Sequence, residues 1–222
     1  MTVRIEPKPA KNPGSLAGAL CLDFANTAEW HASDHPRERL TGYAELLAWA
    51  KRRGVLGEKE IRALSLEAGR RPQEAVRVLR RAVELREAIY RVFSNLAHAK
   101  PAPRSALDLL NAELAESLGQ ARLRAGPAGF TWGWAESPGA LERVLWPVMR
   151  SAADLLTSDL ASRVGQCQDD RGCGWLFIDT SRNHTRRWCA MDDCGNRAKA
   201  RRHYQRTQKN RSDVEVEQPA QT

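Results

Sequence analysis

Along residues 16–162 the apolar positions recur at three- and four-residue intervals, the spacing that gathers them on one face of a helix. From Thr41, TGYAELLAWAKRRG reads as a helix. Thr41 stands at the N-cap, Leu46, Leu47, Trp49 and Ala50 recur at helical spacing, and Lys51, Arg52 and Arg53 fill the last turn before Gly54. A shorter helix is expected over 58–68. The strongest period runs from Pro72 to Ala99, with Val76, Leu79, Val83, Ile89, Phe93 and Leu96 on the inward face and Pro101 and Pro103 beyond its end. A helix over 105–118 carries Leu107, Leu110, Leu114 and Leu118. Ala121–Arg124 and Phe130–Trp134, joined through Gly-Pro-Ala-Gly, predict a small hairpin. A last long helix opens at Ser137-Pro138, turns Leu141, Val144, Leu145, Val148, Ala152 and Leu155 inward, and should kink at Pro147. Leu20 to Thr27 alternates loosely, and the pattern leaves strand and helix both open. The first fold unit is therefore mainly α, a helical domain over 16–162 with a small β-hairpin and no repeats. It is expected to fold alone when the chain is cut near Ser162. Residues 1–15, polar with prolines at 7, 9 and 13, are expected to be disordered, as is the tail 212–222.

Beyond residue 162 the texture changes. Four of the five cysteines fall between positions 167 and 194. The fifth, Cys21, lies between Leu20 and Leu22 and reads as a small buried hydrophobe. The spacing is Cys167-x5-Cys173, fifteen residues, then Cys189-x4-Cys194. Each pair supplies two thiolates from one turn, and a folded spacer closes the pairs into a tetrahedron with metal–sulfur bonds near ~2.3 Å. In the expected spacer, Gly174–Asp179 is a strand, Thr180–Thr185 a turn, and Arg186-Arg187-Trp188 the returning strand. Cys194-Gly195 then opens a helix whose first amides favour thiolate charge. Four thiolates suit zinc or an iron–sulfur centre; the tight hairpin favours one structural Zn2+. The alternative ligand set replaces one cysteine by His184 or His203. Buried structural cysteines are a poor reading, because the neighbours are Gly, Gln, Asp and Arg. Trp175 and Trp188 are expected to cover the metal. The resulting unit, 163–211, is a small treble-clef-like four-cysteine finger, a β-hairpin plus a basic helix.

Charge adds a partner. The chain carries a formal +8, and the segment from Arg182 to Arg211 holds ten Lys or Arg against Asp192 and Asp193, which accounts for the whole excess. Charge concentrated this way is the footprint of a phosphate backbone. The candidate nucleic-acid contacts are Arg182, Asn183, Arg186, Arg187, Arg197, Lys199, Arg201, Arg202, Arg206 and Lys209. Lys199, Arg202, Arg206 and Lys209 group on one helix side as phosphate contacts. Arg182, Asn183 and Arg197 suit base edges, while Ala200 and Tyr204 would face the finger's own core. The competing reading is a solvated basic tail.

The residues themselves carry a family resemblance. Cys173-Gly-Trp-Leu-Phe-Ile-Asp-Thr-Ser-Arg-Asn183, Arg187-Trp-Cys-Ala-Met191 and Cys194-Gly-Asn-Arg-Ala-Lys-Ala-Arg-Arg202 resemble the CGNR zinc finger. Leu20-Cys-Leu-Asp-Phe-Ala-Asn-Thr27, with the Leu46–Trp49 helix, is similar to the amino-terminal ABATE domain. The first cysteine pair, with five intervening residues, is one longer than the family spacing. The resemblance implies a stress-induced bacterial transcription regulator that binds DNA, with a ligand-sensing or dimerising domain upstream. In that domain Asp23, Asn26, His31 and His35 form the candidate ligand-binding cluster. Two other functions compete: an RNA-binding protein using the same basic surface, and a hydrolase with its site in the amino-terminal domain. The sequence holds no nucleophile motif, phosphate-cradling glycine loop or open-site zinc motif, so no enzyme is expected. The start lacks an apolar stretch behind its charges, and the longest uncharged apolar run, Leu16 to Leu22, is too short to span a bilayer. A cytoplasmic protein with DNA, a small molecule and a second copy of itself as candidate partners, and no membrane, is the expectation.

Overall fold

The computed structural model describes residues 17–127, 129–137 and 139–216, with side chains through residue 208. Residues 1–15, Pro138, the end of the tail from 217 and the Lys209 side chain lie outside the described residues. The order is α1 (Leu20–Ala25), β1 (Ala28–Glu29), β2 (Arg37–Glu38), α2 (Tyr43–Arg52), α3 (Glu58–Arg70), α4 (Pro72–Ala97) and α5 (Arg104–Gly119). Then follow β3 (Ala121–Gly126), β4 (Gly129–Trp134), α6 (Leu145–Leu156), β5 (Val164–Gln166), β6 (Leu176–Ile178) and α7 (Asn196–Val216). Among the described residues the fold is mainly helical with three separate two-stranded hairpins. No helix among the described residues is long and apolar enough to cross a membrane.

Local chemistry explains most boundaries. The open segment at 20–27 settles as a helix, since Cys21, Leu22, Phe24 and Ala25 are all fully buried, a demand on every face that an alternating strand could not meet. Helix α2 is entered from extended Gly42, without the Thr41 side-chain cap the sequence suggests. Helix α3 starts where the Glu60 carboxylate accepts the Gly57 N–H at 2.8 Å. Pro147 falls at the start of the helix rather than inside it. It is the third residue of α6, which follows a 3-10 turn at Leu141–Val144, and amides of a first helical turn have no partner to lose.

The core gathers α1, α2, α4, α5 and α6 around Phe24, Leu46, Leu85, Ile89, Phe93, Leu145 and Met149. On α4 the buried stripe is Ala75, Val78, Ala82, Leu85, Ile89, Val92 and Phe93. Val76, expected inward, is 58% exposed, and Leu96 is partly exposed. The stripe is rich in alanine, so counting the larger side chains rotated the expected face. Helix α5 shows the same error: Ala106, Leu110 and Ser117 are buried, whereas Leu107 and Leu118 face outward. Cys21 is fully buried, and burial pushes its thiol up to about 12.

The β5–β6 hairpin departs most from expectation. Val164 pairs with Ile178, Gly165 with Phe177 and Gln166 with Leu176, so the hairpin brackets the first cysteine pair rather than filling the spacer between pairs. Arg186–Trp188 returns without strand pairing, holding Gln168 N–H on the Arg187 carbonyl at 2.9 Å. Val164, Leu176 and Ile178 belong to the main helical core. Asn26 clamps Leu176 from both sides, donating Nδ2–H to its carbonyl at 2.9 Å and accepting its N–H at 2.8 Å. Ile178 N–H reaches the Ala17 carbonyl at 2.8 Å. The core therefore does not end at residue 162. At the other end, α7 continues as helix through the described part of the tail expected to be disordered, to Val216.

Candidate metal centre and nucleic-acid interface

The β5–β6 connection carries Cys167 and Cys173, the loop after β6 carries Cys189, and the π-helical turn Met191–Gly195 that leads into α7 carries Cys194, and together they bring the four cysteines to one point. Their Sγ atoms all lie within 4.8 Å of one another, with Cys173–Cys189 at 3.8 Å and Cys189–Cys194 at 3.6 Å. A zinc tetrahedron with ~2.3 Å bonds has sulfur–sulfur edges near ~3.8 Å, so the donor set fits Zn2+ in type, number and spacing. All four thiols are buried. His184 and His203 are exposed and outside the cluster, so among the described residues the group that could hold the metal is the four cysteines. Phe177, Trp175, Trp188 and Ala190 pack around the sulfurs.

The amino-terminal domain completes that shell. Trp30 packs against the cysteines, and its loop docks edge-on to the first knuckle: His31 N–H donates to the Cys173 carbonyl and Ala32 N–H to that of Gly172, both at 3.1 Å. Two glycines allow this approach. Gly172 (φ +84°) and Gly174 (φ +66°) are left-handed, and a Cβ on either would lie 2.6–2.7 Å from Ser33 or Ala32. Trp30 carried no signal in the sequence; its part depends on a contact across more than 130 residues. Beneath the knuckle, His31 stacks on Tyr90 at 3.5 Å between ring centres and meets Glu87 at 3.0 Å. Arg86, 3% exposed, binds Glu38 and Glu87. Burial would raise the Glu87 carboxyl, but His31 and Arg86 hold it down at about 2.

Three expected nucleic-acid contacts are committed to the finger itself. Arg197 donates to the Cys194 sulfur at 2.8 Å, binds buried Asp169 at 3.2 Å and also pairs with Asp193. Four thiolates on a divalent ion leave a net −2, and this guanidinium offsets it. Arg201 pairs with Asp169 and Asp170. Arg186 lies over the Phe177 ring at 4.3 Å and donates to the carbonyls of Trp188 and Cys189. For Arg197 and Arg201 the reason is proximity to anionic sulfur or aspartate, and for Arg186 it is an aromatic ring and free carbonyls, none of which a count of basic residues registers.

Of the remaining cations, Arg182, Arg187, Lys199, Arg202 and Arg206 face solvent. Asp179, accepting the N–H groups of Ser181 at 2.8 Å and Arg186 at 2.9 Å, ties residues 180–186 into a closed loop with Arg182 and Asn183 exposed on it. Lys199, Arg202 and Arg206 are exposed on α7 at spacings of three and four. Arg187 and Arg202 bracket Trp188, with guanidinium carbons 5.4 and 5.9 Å from the ring. Ala200 and Tyr204, expected to face the finger core, are exposed.

The candidate ligand cluster separates. Asp23 and Asn26 line a cleft of about 150 Å3 between α1, α2 and Trp175, with Asp23 3.4 Å from Arg53. His31 belongs to the knuckle support just described, and His35 is exposed. Asn26 also serves structure through Leu176.

Residues 163–207 match the CGNR zinc finger. Curated proteins gave no match to the chain. With the finger match, the four-cysteine cluster is the site of its zinc. Both families are regulatory or zinc-finger types rather than enzyme families. Residues 18–159 match ABATE, described as "Putative stress-induced transcription regulator", and the chain belongs to that family.

Proposed function

We propose that this zinc-finger regulator is a cytoplasmic protein that binds DNA through α7 and the loop at residues 180–188, and that its helical half senses a small ligand and pairs with a second copy. The carrying observation is the Arg187–Trp188–Arg202 bracket, which joins loop and helix into one cationic surface beside the metal. On it Lys199, Arg202, Arg206 and Lys209 contact phosphates, and Arg182 and Asn183 read base edges. Arg197 and Arg201 instead set the angle of α7 against the knuckle.

One observation favours a second reading. Tyr204 is 64% exposed among these cations, and an exposed aromatic in a basic surface is a stacking platform for unpaired bases. Purified zinc-loaded protein mixed with fragmented genomic DNA and total RNA decides the matter. Reproducible enrichment of particular duplex segments supports the DNA reading; enrichment of RNA alone replaces it, and indiscriminate recovery of both supports a polyanion-binding tail.

A further inference from the structure

The β3–β4 hairpin leaves an aromatic face and a strand edge open to solvent. Its register pairs Ala121 with Trp134, Leu123 with Trp132 and Ala125 with Phe130. Residues opposite each other in a ladder share a face, so one face carries Leu123, Phe130, Trp132 and Trp134. Its base is covered: Trp134 leans on Trp146 at 6.0 Å between ring centres, and the Arg150 guanidinium lies 4.1 Å from the Trp132 ring. Farther out, Leu123 is 67% exposed, Phe130 78% and Trp132 still 56%. With aromatic side chains at roughly 150–250 Å2 each, these three residues expose on the order of 400 Å2. Each partner of a stable pair contributes about 800 Å2, a little over half of it apolar. The face has the size that a dimer needs.

The strand edge says what covers it. The Ala135 N–H donates to the Gln120 carbonyl at 2.7 Å. Counting from that pair, Thr131 and Gly133 turn their main-chain groups toward β3, whereas Phe130, Trp132 and Trp134 turn theirs outward. Arg124 reaches over Gly133 and donates to the Trp134 carbonyl at 3.0 Å. The outward groups of Phe130 and Trp132 have no backbone partner among the described residues. Strand β4, Gly-Phe-Thr-Trp-Gly-Trp, has no charge or proline to protect this edge. Strand β3 carries Arg122 and Arg124, and two copies meeting there would set like charges side by side. We infer that β4 pairs antiparallel with β4 of a second copy, Phe130 opposite Trp132 of the partner subunit, in a four-stranded sheet with its two-fold axis at Thr131. This register uses the free groups of Phe130 and Trp132 and continues the aromatic face across both copies. A register centred on Trp132 would need the Trp134 carbonyl that Arg124 holds. The joined sheet ends on β3 at both sides, where the arginines stop further addition.

This inference rests on the pairing in the proposed function and names its surface, and its test contains no DNA. Full-length zinc-loaded protein, nuclease-treated and at high salt, is followed by sedimentation velocity across the micromolar range. The wild type should be a dimer. Phe130→Asp should weaken it by about a hundredfold or more, because each pair loses the ring twice. Val76→Asp, at an exposed apolar residue of α4, should leave the dimer unchanged. Thr131→Cys reports the register. Opposite residues in a pair without mutual hydrogen bonds have Cα atoms about 4.5 Å apart, within disulfide reach. Mild oxidation should therefore link two chains through position 131, while Val76→Cys should stay unlinked. Thr131 and Phe130 are exposed, so neither change disturbs the core. A monomeric wild type overturns this inference and the proposed pairing together. A dimer indifferent to Phe130→Asp, or one that Thr131→Cys fails to link, overturns this inference and leaves pairing through another surface.

Discussion

Gly174→Ala perturbs the contact through which the amino-terminal domain holds the zinc knuckle. At φ +66° an L-residue pays the left-handed penalty, roughly 1–2 kcal/mol. The added methyl would also sit 2.6 Å from the Ala32 Cβ, 2.8 Å from its backbone nitrogen and 2.8 Å from the Tyr90 hydroxyl. None of these is the loose end of a flexible chain, so the docked loop or α4 must shift, an overpacking cost of about 1–3 kcal/mol. Together the two effects predict a loss of about 2–5 kcal/mol. Urea denaturation of zinc-loaded protein should show a lower midpoint at unchanged slope, and zinc should pass faster to a colorimetric chelator. Gly69→Ala is the control. It lies on α3 with nothing within 4 Å of an added Cβ, and alanine is the better helix former, so stability should hold or rise. A Gly174→Ala protein with wild-type midpoint and wild-type zinc release would refute the claim that the 30–33 loop and the knuckle form one packed unit.

A fragment ending at residue 162 should be molten or aggregated, because it lacks Val164, Leu176 and Ile178 from the core; near-ultraviolet circular dichroism and gel filtration report this. Glu87→Gln should lower the melting temperature at neutral pH. With the folded carboxyl at about 2, below its ordinary 4.5, the contribution is present above about 4.5 and fades as pH falls toward 2, so the two melting curves should converge in acid. Arg202→Ala should weaken binding to every duplex alike and flatten the plot of log affinity against log salt by roughly 0.9. A sequence-dependent loss would instead make Arg202 a base-reading residue.

Much of this fold was legible because it is local. Thiol pairing, helix periods and the Gly-Pro-Ala-Gly turn each act over a few residues. The small errors came from treating large apolar side chains as the inward ones, where Ala75, Ala82 and Ala106 do that work beside exposed Val76 and Leu107. What the sequence does not show is how the two units pack on one another. Nothing local shows that β6 pairs backward to β5, that Asn26 clamps it, or that Trp30 covers the metal, since each is a contact between segments distant in sequence. Arg197 and Arg201 read as nucleic-acid contacts until Asp169 and the Cys194 sulfur are placed beside them, and Arg186 until the Phe177 ring and the carbonyls of Trp188 and Cys189 are. The ligand cluster was half legible, since Asp23 and Asn26 do line a cleft and the two histidines do not.

The central claim is that zinc holds α7 and the 180–188 loop as one DNA-binding surface. Fluorescence anisotropy tests it directly, using an enriched duplex and a scrambled one, with protein metal-loaded and then stripped by a strong chelator. The account predicts a preference for the enriched duplex that disappears on stripping and returns with added zinc, while weak salt-sensitive attraction to both duplexes persists. Equal affinity for the two duplexes, unchanged by removal of the metal, would contradict it.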